Sequence, residues 1–171
     1  MIARASCSHA RLRSTSSAIE TFLPSALYWY VEGLRERSGL AAQVTIPEKF
    51  ERLSADIELV VFRIVQESLT NVHRHSGSKT AFVRLSREVD PVIVEVQDQG
   101  RSMSREKMAE VQSQGTGVGI SGMRERLRQF NGRLSVESNA TGTKILAILP
   151  LKPSSGREQA RALRSSEVVT G

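Results

Sequence analysis

The 171 residues, 39% hydrophobic and 25% charged, suffice for one ordinary core and fit a single domain. The one cysteine, Cys7, excludes an intrachain disulfide and suits a reducing compartment such as the cytoplasm, and no apolar run approaches the roughly 18 residues that a membrane span needs. The net charge of +6 sits largely at the ends, where residues 1–20 hold three arginines against one glutamate and residues 152–171 hold one lysine and three arginines against two glutamates, so solvated tails explain the basicity and no nucleic-acid partner is expected.

Residues 1–24 start as an Arg- and Ser-rich stretch without an acid before Ser17. That composition also suits a transit peptide, but it lacks the apolar run of a secretory signal, and a divergent or disordered leader is expected. The domain proper is expected over 25–151. A first helix over 25–37 takes Ser25 as its cap, buries Ala26, Leu27, Tyr30, Val31 and Leu34, and stops at Gly39. A short strand over 43–46 ends at Pro47. The strongest helical pattern covers 54–75, where Ile57, Val60, Val61, Ile64, Val65, Ser68 and Val72 share one broad face and Gly77 closes the helix.

Strands over 79–87 and 92–98 follow, joined at Asp90-Pro91, with Val92, Val94 and Val96 alternating against Ile93, Glu95 and Gln97. Residues 99–116 are polar and aperiodic, long for an ordinary loop and suited to a lid. A helix over 119–130 turns at Asn131-Gly132 into strands over 133–138 and 143–149, separated by a turn at 139–142. Pro150 and Pro153 end the domain, and 152–171 read as a flexible tail with weak helical tendency. Strands joined directly to their neighbours pair antiparallel, which predicts a two-layer α+β sandwich: a mixed, mainly antiparallel sheet packed on one layer of helices.

Glu67 and Asn71 lie four residues apart at the edge of the apolar arc, with Arg63 and His75 extending the same row. A carboxylate, an amide and an imidazole there suit a cleft wall: Asn71 offers an oxygen ligand for Mg²⁺, and Glu67 can orient or deprotonate a water or hydroxyl. The plainer alternative is a solvated row with an Arg63–Glu67 pair. Asp98, in step with Val94 and Val96, is expected to point inward and so to need donors, such as the exocyclic amine of adenine. Its alternative is a turn carboxylate bonding its own backbone. Gly100 would let the backbone approach a ligand. Gly115, Gly117 and Gly119 alternate just ahead of a helix, where free N–H groups attract phosphate oxygens. Gly117, Gly119 and Gly122 also spell G-x-G-x-x-G, with Glu137 twenty residues after Gly117, but no strand precedes them, which argues against a dinucleotide fold. His73 and His75 do not face each other on a helix and have no cysteine partner, so no zinc site is expected.

Taken together, "FRIVQESLTNVHRHSGS" (62–78), "VEVQDQG" (94–100), "GTGVGISGMRERLRQFNGRLSVES" (115–138) and "GTKILAILPL" (142–151) resemble the ATPase superfamily of gyrase, the heat-shock chaperone, histidine kinases and mismatch-repair proteins. Within it the match is to the ATP-binding catalytic domain of sensor histidine kinases of the nitrate/nitrite-sensor class, and "ALYWYVEGLRERSGL" (26–40) resembles the entry segment of that domain. The resemblance implies the Bergerat ATP-binding fold with ATP and Mg²⁺ as cofactors. It implies that Asn71 holds Mg²⁺ at the phosphates, that Glu67 is the polar or catalytic residue of the same motif, and that Arg74 and His75 lie near the phosphates. It further implies that Asp98 accepts from the adenine amine beside Gly100, and that a lid from Gly100 to Gly119 contacts phosphate through Gly115, Thr116, Gly117, Val118 and Gly119. Thr143 would close the adenine side. The chain departs from the family at Ser102, where a second glycine is usual. It also departs ahead of Ala26, where the dimerisation helices are expected and only His9 stands, with no acid beside it.

The function so implied is transfer of the ATP γ-phosphoryl group to a histidine in trans within a two-component phosphorelay. A histidine-bearing dimerisation domain and a response regulator are the expected partners. Two other readings share the fold: a non-catalytic ATP-binding module that acts through its lid, and a serine kinase of the anti-sigma-factor type. With the dimerisation helices absent, a monomer is expected.

Overall fold

The computed structural model describes residues 22–87, 90–113 and 118–151. Helix α1 (Phe22–Ser38) leads into strand β1 (Ala41–Thr45). Helix α2 (Ala55–Asn71) follows and runs on into a π-helical turn (Val72–Ser76). Next come β2 (Thr80–Arg87), β3 (Val92–Asp98), helices α3 (Arg105–Gln112) and α4 (Val118–Gln129), and the hairpin of β4 (Arg133–Asn139) and β5 (Gly142–Leu149). The strands form one sheet in the order β1-β2-β3-β5-β4. β1 and β2 pair parallel, and the other three pairings are antiparallel. A parallel pair needs a crossover, and α2 supplies it.

Alternation decides which face meets the helices. Ala81, Val83 and Leu85 of β2, Val92, Val94 and Val96 of β3, and Ile145, Ala147 and Leu149 of β5 are all buried. Val61, Ile64, Val65 and Leu69 of α2 lie on them with no exposure, joined by Leu27 of α1 and by Met123 and Leu127 of α4. Burying each such side chain contributes about 1.5–3 kcal/mol, which makes α2 the centre of the core. The far face of the sheet carries polar residues, among them a Lys144–Glu95 pair at 2.9 Å, and the bonded carboxylate raises the lysine above its ordinary range.

The two-layer, mainly antiparallel architecture agrees with the expectation, as do the stops at Gly39 and Gly77, both at positive φ, and the turn at Asn131. Four local details differ. α1 begins at Phe22, so residues 22–24 belong to the first helix rather than to a leader, and Ser25 is not its cap. Pro24 fits there because first-turn N–H groups have no intrahelical acceptor. β1 begins at Ala41 and ends at Thr45, slightly ahead of the expected strand. The last turn of the long helix is π rather than α. The stretch expected to lack structure contains α3. Among the described residues, no helix is long and apolar enough to cross a membrane. The expected tail, Cys7, His9 and residues 1–21 of the expected leader lie outside the described residues.

Candidate functional site

At one end of the sheet, α2 with its π turn, the ends of β3 and β5, α3 and the start of α4 enclose a cavity of about 670 Å³. Glu67 and Asn71 reach it from the edge of α2's apolar face, where both are half-buried. Arg63 does not pair with Glu67; its guanidinium donates to Gln66 Oε1 at 2.7 Å. One atom of the Asn71 amide, Nδ2, is buried and has no hydrogen-bond partner among the described residues. A buried polar atom left without a partner costs about 1–3 kcal/mol. The π turn widens the helix by one residue, a feature that recurs at functional sites. It brings Arg74, His75 and Ser76 to the cavity within a single turn.

Asp98 enters from below, 2% exposed, in step with Val94 and Val96 as its register predicts. Its Oδ1 accepts the Gly100 N–H at 2.7 Å. The inward carboxylate and the turn carboxylate are thus the same group, and acceptor capacity remains for a ligand donor. An exocyclic amine is a donor suited to that remaining capacity. Gly100 itself is not part of the cavity wall. A Cβ there would meet the Ser76 carbonyl oxygen at 2.3 Å, so its bare backbone serves the π turn rather than a ligand. That packing is fixed by Arg101 N donating to Ser76 O at 2.7 Å.

Thr143 is buried at the cavity's sheet side, its hydroxyl 2.9 Å from Ser138 Oγ. Ser138 Oγ also accepts the Met103 N–H at 2.8 Å, so the hairpin holds the start of the lid. Gly142, with φ of 131°, lies so close to Asp98 that a Cβ would meet its carbonyl oxygen at 2.0 Å. From α4, Gly119 lines the cavity with Glu67 packed on it: a Cβ there would meet Glu67 Oε1 at 2.1 Å. Val118 opens α4, and Gly115, Thr116 and Gly117 lie outside the described residues. Among the described residues the element before α4 is the helix α3 and not a strand, which argues against a dinucleotide motif at the literal G-x-G-x-x-G.

Seven of the expected residues therefore share one cavity: Glu67, Asn71, Arg74, His75, Asp98, Gly119 and Thr143. Sequence reasoning missed Ser68, Arg101, Lys107 and Ser138. Arg101 directly follows the Asp-x-Gly, which was a usable signal; Lys107 and Ser138 carried none. With Arg74, Arg101, Lys107 and His75 around it, the cavity suits a polyanion whose other end is an apolar ring bearing a donor.

Fold and cavity together define the class, a two-layer α+β nucleotide-binding domain. Residues 56–153 match the family described as Histidine kinase-, DNA gyrase B-, and HSP90-like ATPase, and the chain belongs to that family. Similar proteins include the sensor histidine kinase MctS of Rhizobium johnstonii, 29% identical over 115 residues, covering 67% of this chain and 24% of that protein. Another is the sensor histidine kinase NarS of Mycobacterium tuberculosis, 32% identical over 117 residues, covering 68% of this chain and 27% of that protein. The chain thus spans about a quarter of the length of these relatives. The histidine kinase domain of the Erythrobacter litoralis EL346 blue-light activated histidine kinase has the same fold, with a TM-score of 0.63 at 20% identity over 75% of this chain and 61% of that one.

Proposed function

We propose that the chain binds ATP with Mg²⁺ in this cavity and passes the γ-phosphoryl group to a histidine in trans, as the kinase part of a two-component phosphorelay. The observation that carries this reading is the convergence on one cavity of the Asp98 carboxylate, which has acceptor capacity left beside the Gly100 N–H, the Asn71 amide and the basic Arg74 and His75. Asp98 takes the adenine amine, and Thr143 closes that side. Arg74 and His75 meet the phosphates together with backbone N–H groups at Val118 and Gly119 and in residues 115–117. Asn71 would hold Mg²⁺ through its amide oxygen, and the ion would supply charge neutralisation at the phosphates.

Of the two carboxylates lining the cavity, Glu67 is the more exposed and is fit to orient the incoming imidazole. The bond from γ-phosphorus to the bridging oxygen breaks as a bond to imidazole nitrogen forms, and ADP leaves with the electron pair. The protein's part is positioning and charge stabilisation. A response-regulator aspartate is the next acceptor, and the reaction takes place in the cytoplasm.

The test is incubation with γ-labelled ATP, alone and with a separately produced dimerisation domain of a relative. Acid-labile label on the added domain is expected. Acid-stable label on serine would assign a serine kinase instead, and nucleotide binding without transfer would leave only an ATP-dependent interaction module.

A further inference from the structure

α3 has little of its own to hold it in place. Of its eight residues Val111 is buried, Met108 is half-buried and the other six are exposed. Its first turn nevertheless forms part of the cavity wall, through Ser104 and Lys107. We infer that Arg124 of α4 is a positioning residue for the lid, which ties the far end of α3 to α4 and so sets Lys107 against the nucleotide. The inference rests on the ATP-binding reading of the cavity.

Three observations support it. Arg124 Nη1 donates to the Val111 carbonyl oxygen, a partly buried contact between residues 13 apart in the chain. The last carbonyls of a helix have no intrahelical donor and carry partial negative charge, so a guanidinium there both satisfies and stabilises that end. Arg124 has no carboxylate partner among the described residues, whereas Arg128 on the same helix pairs with Glu125. Its fixed contact is therefore the lid. Val111 also supplies α3's buried apolar anchor, so both restraints act at one residue.

Lys107 stands about one helical turn from this point, roughly 6 Å along the axis. The Met103–Ser138 hydrogen bond holds the entry to α3, and buried Val111 with the Arg124 contact holds its far end, so the two ends together fix the helix axis. Lys107, 49% exposed and paired among the described residues only with Glu110 at 3.0 Å, can exchange that carboxylate for a phosphate oxygen without repacking.

The experiment is dissociation of a fluorescent ADP, with magnesium, from the full chain. It compares wild type with Arg124→Met, Arg124→Lys, Lys107→Ala and the Arg124→Met/Lys107→Ala double variant. Methionine keeps the packing of the arginine stem while removing the donors. Arg124→Met is expected to speed release about threefold, because an effect exerted through Lys107 cannot exceed the loss of Lys107 itself. Arg124→Lys, which keeps a charged donor, should restore most of that loss. Lys107→Ala should speed release about threefold in wild type and add nothing in the Arg124→Met background. Multiplication of the two effects, or failure of lysine to rescue, would overturn the inference. Melting curves establish that each variant folds, and Arg124→Gln takes the place of Arg124→Met if the latter does not. Failure of wild type to bind the nucleotide at all would instead refute the ATP-binding reading, before any variant is measured.

Discussion

A methyl group added at Gly100 meets the Ser76 carbonyl oxygen at 2.3 Å, whereas the same group at Gly119 meets the end of the Glu67 side chain at 2.1 Å. The neighbour at Gly100 is backbone and cannot yield; the neighbour at Gly119 is a flexible carboxylate that can. Gly100→Ala should therefore cost about 1–3 kcal/mol of stability, through overpacking and through displacement of the N–H that Asp98 accepts. Gly119→Ala should cost under about 1 kcal/mol, because alanine is the better helix former and offsets the crowding. By pushing Glu67 into the cavity, it should instead weaken nucleotide binding about tenfold. Urea midpoints and calorimetric titration separate the two, and equal loss of stability in both variants would show that Glu67 is as rigid as backbone. Two glycines that look alike in sequence are thus kept for different reasons.

At the level of elements, α3 shows what a short polar helix depends on. Ser104 Oγ accepts the Lys107 N–H at 3.2 Å, and Glu106 occupies the first turn. The backbone N–H of Glu106 itself, and then the Ser104 hydroxyl, hold that carboxyl below the usual glutamate range. A lowered folded value stabilises α3 above the ordinary glutamate pKa, and that contribution disappears as pH falls through the lowered one. Ser104→Ala should return Glu106 towards its ordinary titration in a carboxyl NMR titration and cost α3 about 1 kcal/mol of local stability, read as faster amide exchange at neutral pH.

These dependences also explain what the sequence could not tell. The strands were legible because Val92, Val94 and Val96 alternate, and α2 because its apolar residues recur every three or four positions. α3 was not, since eight residues with one buried side chain carry almost no periodicity. The π turn was hidden for a related reason: Asn71 and His75 fit an α register, and only packing around Ser76 and Gly100 selects the wider one. Glu67, Asn71, Asp98 and Thr143 were legible as cavity residues because their motifs place them towards element ends. Ser138 was not, because a serine on an edge strand acquires a role only once the lid lies over it.

For the molecule as a whole, the cavity is a place where stability is held back for binding. Asn71→Ala removes a buried atom that has no partner, so the free protein should melt no lower than wild type. Wild type should gain about 2.7 kcal/mol at a hundredfold excess of ATP over its Kd, an upshift of roughly 5–10 °C, and the variant should gain almost none. A scan with and without Mg-ATP checks both halves, and a lower melting point for the free variant would show that Asn71 is structural. Val61, Ile64, Val65 and Leu69 of α2 are fully buried, so the wall that carries Glu67 and Asn71 cannot loosen without exposing the core behind it. α3 owes its place to one valine, one arginine, its cap and the Met103–Ser138 hydrogen bond just before it. On the ATP-binding reading, nucleotide would therefore enter and leave by local opening of α3 while the core stays folded.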